Sequence, residues 1–272
     1  MFVSLDLKDA YTQLILHEES RELCIMNTHR GFYKLNRLIY GVASAAAIFQ
    51  SVMEEIVFNI PGVIIYLDNL LIHGKSVQQT ISLEKHIIVR IQLPQCDWFV
   101  EKLEFLGFVL SRYSRQPTPS LVLAIDHAQV PNCVRHVESF VGLVNFYSVF
   151  IPQFATLAHP LHNLTRDNVV FKWTKECQDA FDACKSLLKS DKVPVHFSPK
   201  LPIVIHTDAS PYGIGSVLCH SVKLPNGKLV DRPVMFASCT LTASQQNYAH
   251  IDREGLAIII HAVSKFLRFV LP

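Results

Sequence analysis

Leu5-Asp6-Leu7-Lys8-Asp9-Ala10-Tyr11 and Ile64-Ile65-Tyr66-Leu67-Asp68-Asn69-Leu70-Leu71 are the two segments on which the reading of this chain turns. Each reads as a β-strand carrying an acidic residue out of an apolar run. Such a strand is bound for the interior, where a lone carboxylate is costly to desolvate. Set side by side, the two strands would bring Asp6 and Asp68 to one spot. Close carboxylates repel, and a divalent metal is the usual reason to keep both ionised. The pattern points to metal-dependent phosphoryl transfer. Asn69 stands where such a site usually has a further Asp.

The 272 residues suffice for one large domain or two ordinary ones, and 50% are hydrophobic, which excludes wholesale disorder. A formal charge of +2 argues neither for nor against a nucleic-acid partner, since one groove can be basic on a neutral protein. No apolar run is long enough to span a bilayer, so no membrane partner is expected. Met1 to Leu5 shows no basic region ahead of an apolar stretch, hence no signal peptide. Seven cysteines without a C-x-x-C pair fit reduced thiols in an intracellular protein, cytoplasmic or nuclear, better than disulfides or a zinc site. There is no internal repeat, and nothing fixes the oligomeric state.

Local patterns place the elements. Cys24–Asn27 and Gly31–Leu35 read as a hairpin around Thr28-His29-Arg30-Gly31. Ala43 to Val57 reads as a helix with Ala47, Ile48, Met53, Ile56 and Val57 inward. Leu103 to Leu110 reads as a strand pair, and Arg112 to Pro119 as a connector. Helical periodicity runs from Val137 to Phe150 and from Thr174 to Leu188. Strands follow at Pro202–Ser210, Gly213–Leu218 and Pro233–Ser238. The last helix shows the stripe Leu256, Ile259, Ile260, Val263, Phe266, Leu267 and Val270. The fold class is α/β in the α+β sense.

Longer motifs carry a family resemblance. Leu5-Asp6-Leu7-Lys8-Asp9-Ala10-Tyr11-Thr12-Gln13 resembles the first palm motif of reverse transcriptases. Tyr40-Gly41-Val42-Ala43-Ser44-Ala45-Ala46-Ala47-Ile48-Phe49-Gln50 resembles the second, and Tyr66-Leu67-Asp68-Asn69 the Y-x-D-D turn. Thr28-His29-Arg30-Gly31, Leu103-Glu104-Phe105-Leu106-Gly107, the run Phe140 to Tyr147 and Phe150-Ile151-Pro152 are similar to gypsy-type retrotransposon Pol polyproteins. Thr207-Asp208-Ala209-Ser210-Pro211-Tyr212-Gly213-Ile214-Gly215 and Arg253-Glu254-Gly255-Leu256-Ala257-Ile258 resemble the RNase H part of that family.

The resemblance implies a palm-like antiparallel sheet with helices over residues 1–110, a helical thumb or connection over 111–192, and a partial RNase H-like sheet with helix over 193–272. It implies RNA-directed DNA polymerase (nucleotidyltransferase) and RNA–DNA hybrid ribonuclease (endonuclease) activities. The partners would be template–primer or hybrid and dNTPs, and the cofactors Mg²⁺ or Mn²⁺ in two-metal sites. Asp6 and Asp68 would be catalytic metal ligands, with Asn69 a degraded ligand position. Asp9 and Tyr11 would lie along the incoming nucleotide, Tyr11 as a steric gate. Gly41 would allow close backbone approach, and Gln50 would lie near the template strand. Asp208 and Glu254 would be catalytic ligands of the ribonuclease metals.

Departures from the pattern predict impairment. Asn69 brings no charge, and Ala46 replaces a Pro. The stretch from Val77 to Cys96 is short for the family. Fingers residues ahead of the first motif and two later RNase H acids lie outside this sequence. A non-catalytic nucleic-acid-binding or interaction module, or a decayed element product, is the alternative. Elsewhere, His159 and His162 read as surface residues, and Arg112, Tyr113 and Arg115 as an exposed linker rather than a phosphate contact.

Overall fold

The computed structural model describes residues 1–74, 78, 89–190 and 194–270. These fall into two compact units, Met1–Phe105 and Leu106–Pro272. The segment expected to be shortened, Val77 to Cys96, lies largely outside the described residues. Among the described residues no helix is long and apolar enough to cross a membrane.

The first unit is built on strands β1 (Phe2–Asp6), β2 (Ile25–Thr28), β3 (Gly31–Lys34), β4 (Val63–Tyr66), β5 (Asn69–His73), β6 (Asp97–Val100) and β7 (Lys102–Phe105). One antiparallel sheet has the order β4-β5-β1-β6. β2 and β3 form the expected hairpin, with Thr28 opposite Gly31. Helix α1 (Glu18–Arg21) is one turn; α2 (Ala45–Val57) packs on β4. Strand alternation sends Val3, Leu5 and Leu7 into the core with Ala45, Phe49, Met53 and Val57 of α2. The buried helix positions recur every four residues from Ala45. That corrects the expected stripe, because Ile48 and Ile56 are each 44% exposed.

The expected second acidic strand is a hairpin. Tyr66 of β4 pairs with Asn69 of β5, so Leu67-Asp68 is a two-residue loop. Leu67 takes φ +52°. A positive first loop position matches the right-handed twist of the flanking strands, and turns an apparently continuous apolar run back on itself.

In the second unit, β8 (Phe108–Ser111) and β9 (Arg115–Pro117) pair, so part of the expected connector is strand. Helices α3 (Pro119–Asp126), α4 (Val134–Phe146), α5 (Phe154–Leu157), α6 (His159–Leu164) and α7 (Lys175–Leu188) follow. Val137, Phe140, Val141, Val144, Phe181, Cys184 and Leu188 fill their shared core. Burial in it pushes the Cys184 thiol up to about 12, so it packs as a small hydrophobe. Thr174 caps α7 by accepting from the Cys177 N–H at 3.3 Å.

Strands β10 (Ile203–Ala209), β11 (Gly213–Lys223) and β12 (Leu229–Thr240) form an antiparallel sheet in chain order. Helices α8 (Ala243–Gln246) and α9 (His250–Leu256) lead into a π-helical turn, Ala257–Ala262, and then α10 (Val263–Val270). Ala257, Ala262 and Phe266 are buried while Ile259, Val263, Leu267 and Val270 are exposed. The inward positions are spaced by five and then four residues. A wider turn sets that spacing, and an unbroken 3.6-residue period misses it.

Candidate active sites

The first candidate site grows from the register of β1 and β5. Asp6 stands opposite Asn69, and the Leu7 N–H donates to the Asp68 carbonyl at 2.8 Å. Alternation turns Asp6 to the face opposite Val3, Leu5 and Leu7, where it is half-buried rather than interior. Its carboxyl is held above the usual carboxylate range, first by burial and then by the charge of Asp68. The two carboxylates therefore share one site.

The turn carrying Asp68 is braced from α2. The Gln50 side-chain oxygen accepts from the Leu67 N–H at 2.7 Å, and its amide donates to the Ile65 carbonyl at 3.1 Å and to Glu54 at 2.7 Å. Leucine in the left-handed region is strained, and Gln50 pins the peptide that bears the strain. A polar residue between the buried Phe49 and Met53 is a signal for such a role, but the partner is not visible in the sequence.

Around the pair, Tyr11 is half-buried against the rings of Tyr40 (4.6 Å) and Phe49 (5.3 Å). Sequence reasoning marks Tyr40 only as part of a motif. Its hydroxyl is held above its ordinary range by burial and then by Asp68, Asp9, Tyr11 and Asp6. It thus feels all three carboxylates. Asp9 is exposed at φ +48°. Gly41 takes φ +93°, and a Cβ added there would meet nothing within 4 Å, so backbone conformation and not protein crowding calls for glycine. The Asn69 amide donates to Asp68 Oδ1 at 3.2 Å, supplying a neutral donor where such a site usually has a further Asp.

Among the described residues no three His, Cys, Asp or Glu side chains gather as a metal cage. Two adjoining carboxylates still fit a hard ion of the Mg²⁺ type, which binds one or two carboxylates and completes its shell with water and phosphate oxygens.

The second candidate site is arranged differently. Asp208 lies opposite Gly215 in the β10–β11 ladder and is exposed. Gln153 occupies the space above Gly215: a Cβ there would meet Gln153 Cγ at 2.8 Å. Gln153 has φ +48° and donates from Nε2 to Asp208 Oδ2. Sequence patterns give no hint of this contact, which joins positions 55 apart. Glu254 sits on α9, which packs on β10, and its ion-pair partner is His250 at 3.8 Å.

Two other sequence readings change. His159 stacks on Tyr212 at 4.1 Å and His162 meets Phe154 edge-on; burial lowers the proton affinity of both, so they are packing residues rather than surface ones. Arg115 lies over Phe108 at 4.8 Å instead of in an exposed linker.

Residues 1–110 match the family model described as reverse transcriptase (RNA-dependent DNA polymerase), and residues 173–271 match the RNase H-like domain found in reverse transcriptase. The chain is 31% identical over 290 residues to the retrovirus-related Pol polyprotein from transposon gypsy of Drosophila melanogaster, covering 99% of this chain and 27% of that protein. It is 30% identical over 268 residues to the transposon Tf2-7 polyprotein of Schizosaccharomyces pombe, covering 95% and 20%. It thus spans about a quarter or less of these relatives. Its fold is similar to the foamy viral protease-reverse transcriptase solved with RNA/DNA hybrid (TM-score 0.81, 20% identity, 99% of this chain and 37% of that one). The form solved with dsDNA gives 0.79 at 20% identity, covering 99% and 56%. Family models, relatives and fold converge: the chain belongs to the gypsy-type LTR retrotransposon Pol family and carries its reverse transcriptase and RNase H-like regions.

Proposed function

We propose that this chain handles template–primer and RNA–DNA hybrid through a reverse transcriptase palm (1–110), a thumb or connection (111–192) and an RNase H-like region (193–272), with a weakened polymerase centre. The observation that carries this reading is the Asp6–Asp68 pair at the β4–β5 turn, with Asn69 as its neutral neighbour. Similarity to proteins solved with hybrid and duplex supports the partner class.

Asp6 and Asp68 are the residues that would hold Mg²⁺ or Mn²⁺. A cation bound there would neutralise charge at the nucleotide α-phosphate as the primer 3′-hydroxyl attacks and pyrophosphate leaves. Tyr11, fixed by Tyr40 and Phe49, presents a wall that disfavours a ribose hydroxyl; Asp9 and Gly41 border the nucleotide. Gln50 keeps the Asp68 turn in place from α2, near the template strand. With one charge fewer than a Y-x-D-D turn, cation affinity and the rate of extension are both reduced. Asp208 and Glu254 are the corresponding candidates for hybrid cleavage, with Gln153 orienting Asp208.

Primer extension by the purified chain, with dNTPs and Mg²⁺ or Mn²⁺, tests the reading. The expected result is little or no extension, rising when Asn69→Asp restores the charge. Robust extension by the unaltered chain, abolished by Asp6→Ala, would overturn the impairment. Failure to bind either duplex or hybrid in a salt-dependent manner would overturn the whole reading.

A further inference from the structure

Away from both carboxylate sites, a cavity of about 220 Å³ in the second unit is walled by Leu110, Val234, Phe197 and Phe269, and Arg115 and Arg268 both line it. No aspartate or glutamate lines it, and neither arginine makes an ion pair among the described residues. Both guanidiniums are held against rings. That of Arg115 lies 4.8 Å from the Phe108 centroid and 5.6 Å from Phe150; that of Arg268 lies 4.8 Å from Phe269. Aromatic stacking fixes a planar cation in orientation but brings no opposite charge.

Arg115 is half-buried and shares this cavity with a second cation, the exposed Arg268, an arrangement unfavourable for Arg115 by itself. Arg115 shows it: burial lowers its proton affinity, and the charge of Arg268 lowers it further. Packing of the aliphatic stems explains one buried arginine. It does not explain a second guanidinium facing the same space with no carboxylate between them among the described residues. An anion relieves the repulsion. A carboxylate is satisfied by one guanidinium fork, whereas a tetrahedral phosphate offers oxygens to two.

We propose that Arg115 and Arg268 form a phosphate-binding site, taking a phosphate group either from a nucleic-acid backbone or from a free phosphate compound. The site stands apart from the cation chemistry proposed at Asp6 and Asp68, so its test is done in EDTA. Inorganic phosphate is titrated into the full chain at constant ionic strength, followed by calorimetry and by thermal melting against chloride. The expected result is a stabilising, saturable interaction. Arg268→Ala, at an exposed helix position, weakens it on the order of tenfold or more, the size of losing a charged hydrogen-bond pair. Arg115→Lys, which keeps charge but not the fork, weakens it as well. A short duplex that displaces phosphate identifies a backbone phosphate as the ligand; displacement by a mononucleotide alone identifies a free one. No phosphate effect beyond chloride on the unaltered chain overturns the proposal, whether or not the variants fold. So does phosphate binding that survives Arg268→Ala unchanged.

Discussion

The two acidic sites solve the same problem in opposite ways. At Asp6 the cost of a crowded carboxylate is left standing: burial and Asp68 raise its pKa, and among the described residues no cation offsets them. At Asp208 the carboxylate is exposed, and a neutral amide from Gln153 already accompanies it. The first site is electrostatically unfinished, and under the proposed function a cation would complete it. The second is geometrically braced, with Oδ2 of Asp208 engaged by the amide. Backbone register makes the first site; a long-range side-chain contact makes the second. Site one should therefore respond most to changes of charge, and site two to changes of shape.

The largest effect expected is at Asp6 itself. Asp6→Ala should reduce Mn²⁺ binding at the first site below detection by paramagnetic titration; retained affinity would break the comparison. Next, Asn69→Asp should tighten Mn²⁺ binding there on the order of tenfold by adding charge. It should also lower the melting temperature in EDTA, since the added carboxylate meets unrelieved repulsion. At the second site, Gln153→Ala should weaken Mn²⁺ binding roughly tenfold or more, as losing an orienting partner does. Gln153→Glu, which keeps the shape but adds charge, should strengthen it. Tightening on Gln153→Ala would mean that the amide masks Asp208 instead of aiming it.

Smaller effects sharpen the picture. Gln50→Ala should destabilise the first unit by about 1–3 kcal/mol, because the Leu67 N–H loses its acceptor on a strained turn. Urea unfolding measures it. The pH dependence of stability gives the finest test. A carboxyl whose folded pKa is raised favours the folded state fully below its unfolded value near 3.8, and that contribution is lost as pH rises through the folded value. Asp6→Asn should therefore flatten the fall in stability from about pH 4 upward, and bound Mn²⁺ should do the same. An unchanged slope would place Asp6 outside the coupled pair.

Much of this is legible in the amino-acid order. Apolar runs around Asp6 and Asp208, the hairpin signals and the long helical stripes identify the antiparallel sheets and their acids. What escapes is set by phase and by distant contacts. The α2 stripe misleads because Ala45 and Phe49 bury where Ile48 and Ile56 do not, and a helix with apolar residues on several faces does not announce which one packs. The break at Leu67 is hidden because nothing in a leucine advertises a left-handed turn. Gln153 over Gly215, and Arg115 between Phe108 and Phe150, depend on residues brought together only by folding.

The π-turn at Ala257–Ala262 makes the last helix tolerant of a change in length that its composition does not suggest. Excising one residue from it would restore ordinary helical winding, and the inward spacing of five and then four would become four and four. Phe266 would keep its inward place. A one-residue deletion here should then do less harm than one in the ordinary α-helical turns that follow, where each lost residue swings everything downstream by about 100°.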